Sequence, residues 1–177
     1  TNAYKFSWLP DVSLADVTTT CKFKFLDNAS SDVTGADVEP ANMMLRVQDV
    51  NNYYMCRVEL HADQTVTASL HVVGGAGSIG SATVSGLTYS GQWLRVKAQA
   101  VGTTIRMRVW EDGDTEPSTW DVTATDSAIT AAGAVGIRSG VATGNTNTSP
   151  TFYYDDFTID TAYRFHGEVE SWPQRWS

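Results

Sequence analysis

Two runs of strict alternation on either side of a glycine, in residues 91–113 (GQWLRVKAQAVGTTIRMRVWEDG), limit what this chain can fold into more than any other stretch. In the first run Leu94, Val96, Ala98 and Ala100 share one phase, and Trp93, Arg95, Lys97 and Gln99 share the other. In the second, Ile105, Met107 and Val109 alternate with Thr104, Arg106, Arg108 and Trp110. A period of two belongs to a strand with one dry and one wet face, not to a helix. Val101-Gly102 marks the reversal, because glycine takes positive φ without a Cβ clash. The segment therefore predicts an antiparallel hairpin in a sheet buried on one side only. Its wet phase gathers Arg95, Lys97, Arg106 and Arg108, a basic stripe on a chain of formal net charge -8.

The length of 177 residues suits one β-domain with a full core and a tail. No window of helical length carries an apolar stripe, and Gly, Ser, Thr and Val punctuate short alternating runs, so the expected class is all-β. No run is long and apolar enough for membrane insertion. The absence of a signal-peptide pattern and of an initiator Met predicts a piece of a longer polypeptide. The acidic balance argues against nucleic acid as a partner, which requires extended positive potential along the phosphates. Cys21 and Cys56 fall on apolar phases, which permits a bridge but better suits two inert buried thiols. Scattered histidines and the lack of paired-Cys spacing argue against a zinc site.

Taken in order, residues 4–9 read as an edge strand stopped by Pro10, and residues 15–26 as a long half-buried strand. Residues 27–40 are rich in Asn, Ser, Asp and Gly and read as a loop. Residues 43–48 and 53–61 pair across an Asp/Asn turn. In the expected register Leu45 and Val47 face inward with Tyr54, Cys56, Val58 and Leu60, leaving Arg46, Gln48, Tyr53, Arg57, Glu59 and His61 outside. A strand over 65–73, a glycine turn over 74–80 and a short strand over 82–84 lead to the central hairpin. Beyond it come an acidic turn, a strand over 120–125 and one helical turn over 126–132 capped by Asp126 and stopped by Gly133. Strands over 134–138 and 152–159 complete the pattern of a sandwich or jelly roll. Residues 1–162 form this sandwich, and 163–177 read as a segment leading to a following module.

The segments YYMCRVEL, GQWLRVKAQAVGTTIRMRVWEDG with EPSTW, ITAAGAVGIRSG and FYYDDFTI, in this order, resemble the concanavalin A-like, laminin-G-like jelly roll over most of residues 15–160. The version with the Trp-Glu-Asp-Gly turn and the Pro-Ser-Thr-Trp step is similar to modules of minor tail proteins in phages infecting actinobacteria. RFHGEVESWPQRWS resembles the segment that follows them. The resemblance implies a two-sheet antiparallel jelly-roll sandwich, recognition of cell-surface polysaccharide, and sometimes a structural calcium ion. It also implies a place in the virion tail among other phage tail proteins, with secretion to the cell exterior as the alternative. Repetition in a homo-oligomer would supply avidity.

The candidate ligand face comprises Arg46, Tyr53, Arg57, Trp93, Arg95, Lys97, Arg106, Arg108 and Trp110. Aromatic rings pack against the C–H faces of sugars, and guanidinium forks grip carboxylate or phosphate. The same charges can instead merely solvate a sheet and pair with Glu59 and Asp112. Nothing in the spacing fixes the two hairpins in one sheet. Asp155-Asp156 sits on the last strand, where neighbours point to opposite faces. Jelly-roll modules that resemble this one often carry such a pair, which makes Asp156 the candidate calcium ligand. Catalytic residues are not expected: the E-x-D-x-E strand motif of laminarinase-like glycosidases is absent, and no Ser-His-Asp arrangement stands out. His166, Glu168 and Glu170 alternate in the tail, which reads as a solvated strand face.

Overall fold

The hairpin expected around Gly102 forms the centre of one sheet in the computed structural model, which describes residues 3–161. The described strands are β1 (Ala3–Leu14), β2 (Val17–Asp27), β3 (Val38–Asp49), β4 (Asn52–Leu60), β5 (Thr65–Val73) and β6 (Gly77–Thr88), followed by β7 (Leu94–Val101), β8 (Thr104–Glu111), β9 (Val122–Thr125), β10 (Gly133–Val141) and β11 (Pro150–Asp160). They make a six-stranded antiparallel sheet of order β1-β10-β3-β4-β5-β6 and a five-stranded antiparallel sheet of order β11-β2-β7-β8-β9. The two inner faces share one apolar core. Leu94, Val96, Ala98, Ile105, Met107 and Val109 enter it from the hairpin, and Leu45, Tyr54, Cys56, Val58 and Leu60 from β3 and β4. Burial of an apolar face of each sheet against the other is the main driving force for the sandwich. Cys21 and Cys56 lie in different sheets, buried and free.

Several boundaries differ from the sequence expectation for identifiable reasons. β1 runs through Pro10, because the strand lies at a sheet edge where a missing N–H need not break a ladder, and its register shifts between Leu9 and Leu14. β3 begins at Val38 and includes Pro40, inside the stretch read as a loop. β6 begins at Gly77, so the glycine turn is confined to the residues before it. No helical turn follows β9. Asp126 instead accepts a hydrogen bond from the Ala128 amide at 2.8 Å and one from the Tyr54 hydroxyl at 2.6 Å. The segment 163–177 lies outside the described residues.

The register of β3 holds the largest surprise. A bulge between Leu45 and Asp49 places Arg46 at φ 51°, a left-handed conformation that non-glycine residues seldom adopt. Leu45 and Arg46 then both turn to the inner side, while Val47 joins Met44 in a separate cluster on the outer face. Arg46 is 1% exposed. Its guanidinium donates to the carbonyls of Ala15 at 2.6 Å, Ile129 at 2.8 Å and Gly102 at 2.7 Å, and Asp16 lies 3.6 Å away. The expected outward Arg46 and inward Val47 are thus exchanged by one extra residue in the strand.

A second tie crosses from one sheet's margin to the other. Tyr89, just after β6, is fully buried, and its hydroxyl donates to the Phe25 carbonyl at 2.5 Å and accepts from the Phe25 amide at 2.7 Å. Burial pushes its pKa up to about 12, so it stays a neutral phenol. Tyr89→Phe leaves a buried N–H and C=O of β2 without that partner, and a loss of about 1–3 kcal/mol is expected in urea unfolding. An unchanged midpoint with an unchanged slope would show that the hydroxyl carries no weight.

Candidate functional site

The outer face of the five-stranded sheet carries the basic stripe, and the pairing explains its rows. Lys22, Arg95 and Trp110 lie side by side across β2, β7 and β8, followed by Thr20, Lys97 and Arg108, then Thr18, Gln99 and Arg106. Each cation in these rows meets a partner from the connection after β8 or from another strand of the sheet, β11 included. Arg95 donates to Asp112 at 2.5 Å and to Asp156 at 2.7 Å, which raises its pKa further. Lys22 lies 3.4 Å from Asp155 and 5.0 Å from the Trp93 ring centroid. Lys97 donates to Glu116 at 2.7 Å, and Arg108 donates to the same Glu116 carboxylate and to the Pro117 carbonyl. Trp120 lies against both Arg106 and Arg108, with its centroid 4.5 and 4.4 Å from the two guanidinium carbons. Arg106 also donates to Gln99 at 2.7 Å. Trp110 is buried, and Trp93 meets Tyr153 edge-on.

The outer face of the six-stranded sheet is built differently. Tyr4, Phe6 and Trp8 line one side of edge strand β1. Phe6 stacks on Trp8 with centroids 5.7 Å apart, and Phe6 is 44% exposed. β1 lies close on β10 because residue 136 is glycine: a Cβ there would come within 2.2 Å of the Ser7 carbonyl oxygen. Arg138, two residues on, places its guanidinium 3.8 Å from the Tyr4 ring centroid and donates to the Tyr53 hydroxyl at 3.3 Å. Trp8 packs against the apolar cluster of Met44, Val47, Tyr53, Met55 and Ala134.

Beside this aromatic row lies a polar network whose centre is Glu39, with a side chain 3% exposed. Glu39 accepts from the Tyr4 hydroxyl at 3.2 Å and from Asn42 at 2.7 Å, while Arg57 lies 3.5 Å and Arg138 3.9 Å from its oxygens. Arg57 also reaches Glu59 at 2.9 Å, so one guanidinium bridges two carboxylates. Ser69 donates to Glu59 at 3.2 Å and accepts from Arg57 at 3.3 Å. With the single hydroxyl proton of Ser69 directed at Glu59, the Nε2–H of His71, 3.0 Å away, is the donor in that contact. Burial, then the charges of Arg57 and Arg138, push the His71 pKa down to about 4. Burial raises the Glu59 carboxyl, opposed by Arg57. Nearby, His61 bridges Asp37 and Thr67, each at 2.8 Å.

The nine residues expected to form one face therefore occupy three places. Arg95, Lys97, Arg106, Arg108 and Trp110 share the five-stranded sheet, although Trp110 is buried within it, and Trp93 lies just before β7 with its ring beside Lys22. Tyr53 and Arg57 lie on the six-stranded sheet, and Arg46 sits between the layers. Asp156, the candidate calcium ligand, has its charge met by the protein: its carboxylate accepts from Arg95 at 2.7 Å and lies 3.9 Å from Lys22. Among the described residues no group of three or more His, Cys, Asp or Glu side chains gathers to hold a metal. Asn145, Asn147 and Asp32 belong to a clasp between two loops. Asn147 donates to Asp27 at 3.0 Å and to the Asp32 carbonyl at 2.8 Å. The sequence reading missed Tyr4, Phe6, Trp8, Glu39 and Arg138. The alternation Tyr-x-Phe-x-Trp in β1 was the available signal for the first three.

No protein-family model and no curated protein sequence matches the chain. Among solved structures it is similar to the carbohydrate binding module CBM66 from Bacillus subtilis, with a TM-score of 0.62 and 15% identity, covering 91% of this chain and 84% of that one. It is also similar to the exoplasmic/lumenal domain of VIP36 in a Ca2+/Man3GlcNAc-bound form, at 0.58 and 12%, covering 94% and 77%. A β-1,3-glucanase from Mycobacterium marinum gives 0.51 and 11%, covering 87% and 66%. At these identities the likeness fixes the fold, an all-β, two-sheet antiparallel jelly roll of the concanavalin A-like kind.

The depressed pKa of His71 has a consequence for stability. From pH 6.5 downward the unfolded chain takes up a proton that the folded chain refuses until about pH 4. Stability that is complete above pH 6.5 is therefore lost as pH falls towards 4. Glu59 acts in the opposite sense, but it does so equally in a His71→Gln variant. Urea unfolding at neutral pH and near pH 4 should show the wild type losing more stability than His71→Gln. Equal losses would mean that the imidazole is not held neutral.

Proposed function

We propose that this chain is a non-catalytic carbohydrate-binding module whose ligand lies along the outer face of the six-stranded sheet. The observation that carries the reading is the row Tyr4, Phe6 and Trp8 beside the buried Glu39–Arg57–Glu59 network on that one face. The exposed Phe6 ring, flanked by the half-buried Tyr4 and Trp8, offers a platform for the C–H face of a sugar, and the adjoining Arg138, Arg57 and Tyr53 offer fixed polar edges to its hydroxyls. Because each of these side chains is already held by a neighbour, little ordering is required when a ligand arrives. The likeness to CBM66 and to the Man3GlcNAc-bound VIP36 domain supports a binding role. The carboxylates of Glu39 and Glu59 are engaged by Arg57, Asn42 and Ser69, which suits a rigid recognition surface better than a proton-transfer pair.

In its setting, the module attaches a phage tail to host cell-surface polysaccharide, acting in the virion alongside other tail proteins. Support comes from the resemblance of residues 91–113 and of the following EPSTW to tail modules. Single sites of this type bind weakly, and repetition in a homo-oligomeric tail structure supplies the grip. A glycan array followed by titration with the glycan it selects tests the reading. Phe6→Ala, which removes an exposed ring without opening the core, is expected to weaken binding about three- to tenfold. Val50→Ala, at an exposed apolar residue of the β3–β4 turn, serves as a control and should leave it unchanged. Equal affinities for wild type and Phe6→Ala would remove β1 from the site.

A further inference from the structure

The opposite sheet holds a feature that glycan stacking on β1 does not use. Lys97 and Arg108 lie directly across from each other on β7 and β8, and they converge on one carboxylate, that of Glu116. Arg108 takes the next carbonyl along the chain, that of Pro117. Trp120 then lies over Arg106 and Arg108. The connection between β8 and β9 thus crosses its own basic face and fills it with a carboxylate, a neutral oxygen acceptor and a flat apolar ring, in that order. Lys97 and Arg108 are both partly buried, and burial lowers the pKa of each, as expected for cations drawn out of water beside one another. Glu116, by contrast, is exposed, so its hold can be exchanged with a solution ligand.

We propose that the outer face of the five-stranded sheet is a second binding site, for a uronic-acid polysaccharide, and that Glu116 is its built-in competitor. A uronate unit presents what the strap presents: a carboxylate for Lys97 and Arg108, and hydroxyl or ring oxygens within reach of the same guanidinium. Its C–H face suits Trp120. The cations of the neighbouring row, Arg95 and Lys22, share the three carboxylates of Asp112, Asp155 and Asp156, whereas Lys97 and Arg108 share that of Glu116 alone, so the part of the face that one exchange uncovers is the Lys97–Arg108 pair. Occupation of this site does not depend on the aromatic row of β1, which lies on the other sheet.

The test uses polygalacturonate as the probe, with the intact chain and three variants. Glu116→Gln removes the charge that Lys97 and Arg108 share, and exposed ion pairs are individually worth little, so the expected gain in affinity is about five- to tenfold. Asp114→Asn removes the same charge from the same loop without touching Lys97 or Arg108, and no comparable gain is expected. Lys97→Gln in the Glu116→Gln background should cancel the gain. Equal gains in Glu116→Gln and Asp114→Asn would reduce the effect to overall charge and overturn the proposal. So would unchanged affinity in Glu116→Gln with its melting temperature preserved. Phe6→Ala binding polygalacturonate as the wild type does separates this site from that on β1, and a parallel loss there would also overturn it.

Discussion

One guanidinium closes an end of the sandwich. Arg46 reaches the β1–β2 turn, the β7–β8 turn and the connection before β10, and gives a donor to a carbonyl in each. Loop carbonyls at the end of a two-layer fold are otherwise left to water, and a buried arginine is otherwise a heavy desolvation cost. Each need answers the other. The geometry requires the left-handed backbone at Arg46, which costs roughly 1 kcal/mol for a residue with a Cβ. Three charge-assisted hydrogen bonds offset that strain. The same bulge that turns Arg46 inward turns Val47 outward, and so it also creates the apolar cluster on which Trp8 rests.

The two outer faces then differ in how their charges are managed. On the six-stranded sheet, acids and bases alternate within the strands themselves: Glu39 on β3, Arg57 and Glu59 on β4, and Arg138 on β10. Their positions are fixed by the sheet, and the resulting surface is rigid and nearly neutral. On the five-stranded sheet β2, β7 and β8 supply the cations, and much of the counter-charge arrives from edge strand β11 and, for Lys97 and Arg108, from the connection after β8. A surface whose neutrality depends on a loop can be uncovered, whereas one neutralised within its strands cannot. Exposure and exchange, rather than net charge, separate the two.

Much of the fold was readable from the sequence because period-two alternation is a local property. Leu94, Val96, Ala98, Ile105 and Met107 fall on the buried side as expected, and Arg95, Lys97, Arg106 and Arg108 on the outer one. What escaped was non-local. Nothing in the run MMLRVQD announces a bulge, since the extra residue is defined by the partners it fails to meet on β4 and β10. The assignment of the two hairpins to separate sheets is likewise a matter of topology, and it removed Tyr53 and Arg57 from the basic stripe. Glu39 was hidden for another reason: Pro40 beside it reads as a strand breaker, yet it is accommodated in β3. The aromatic alternation of β1 was visible, but its meaning depends on Gly136 and Arg138, which arrive more than a hundred residues later.

The two thiols carry a further consequence. Cys21 belongs to the five-stranded layer and Cys56 to the six-stranded one, and burial pushes both pKa values up, that of Cys21 to about 12. At neutral pH neither supplies the thiolate that attacks disulfides or peroxide. The sandwich is therefore indifferent to redox poise. It can reach its final form in a reducing cytosol, and crossing into oxidising surroundings afterwards neither adds a covalent staple nor threatens one.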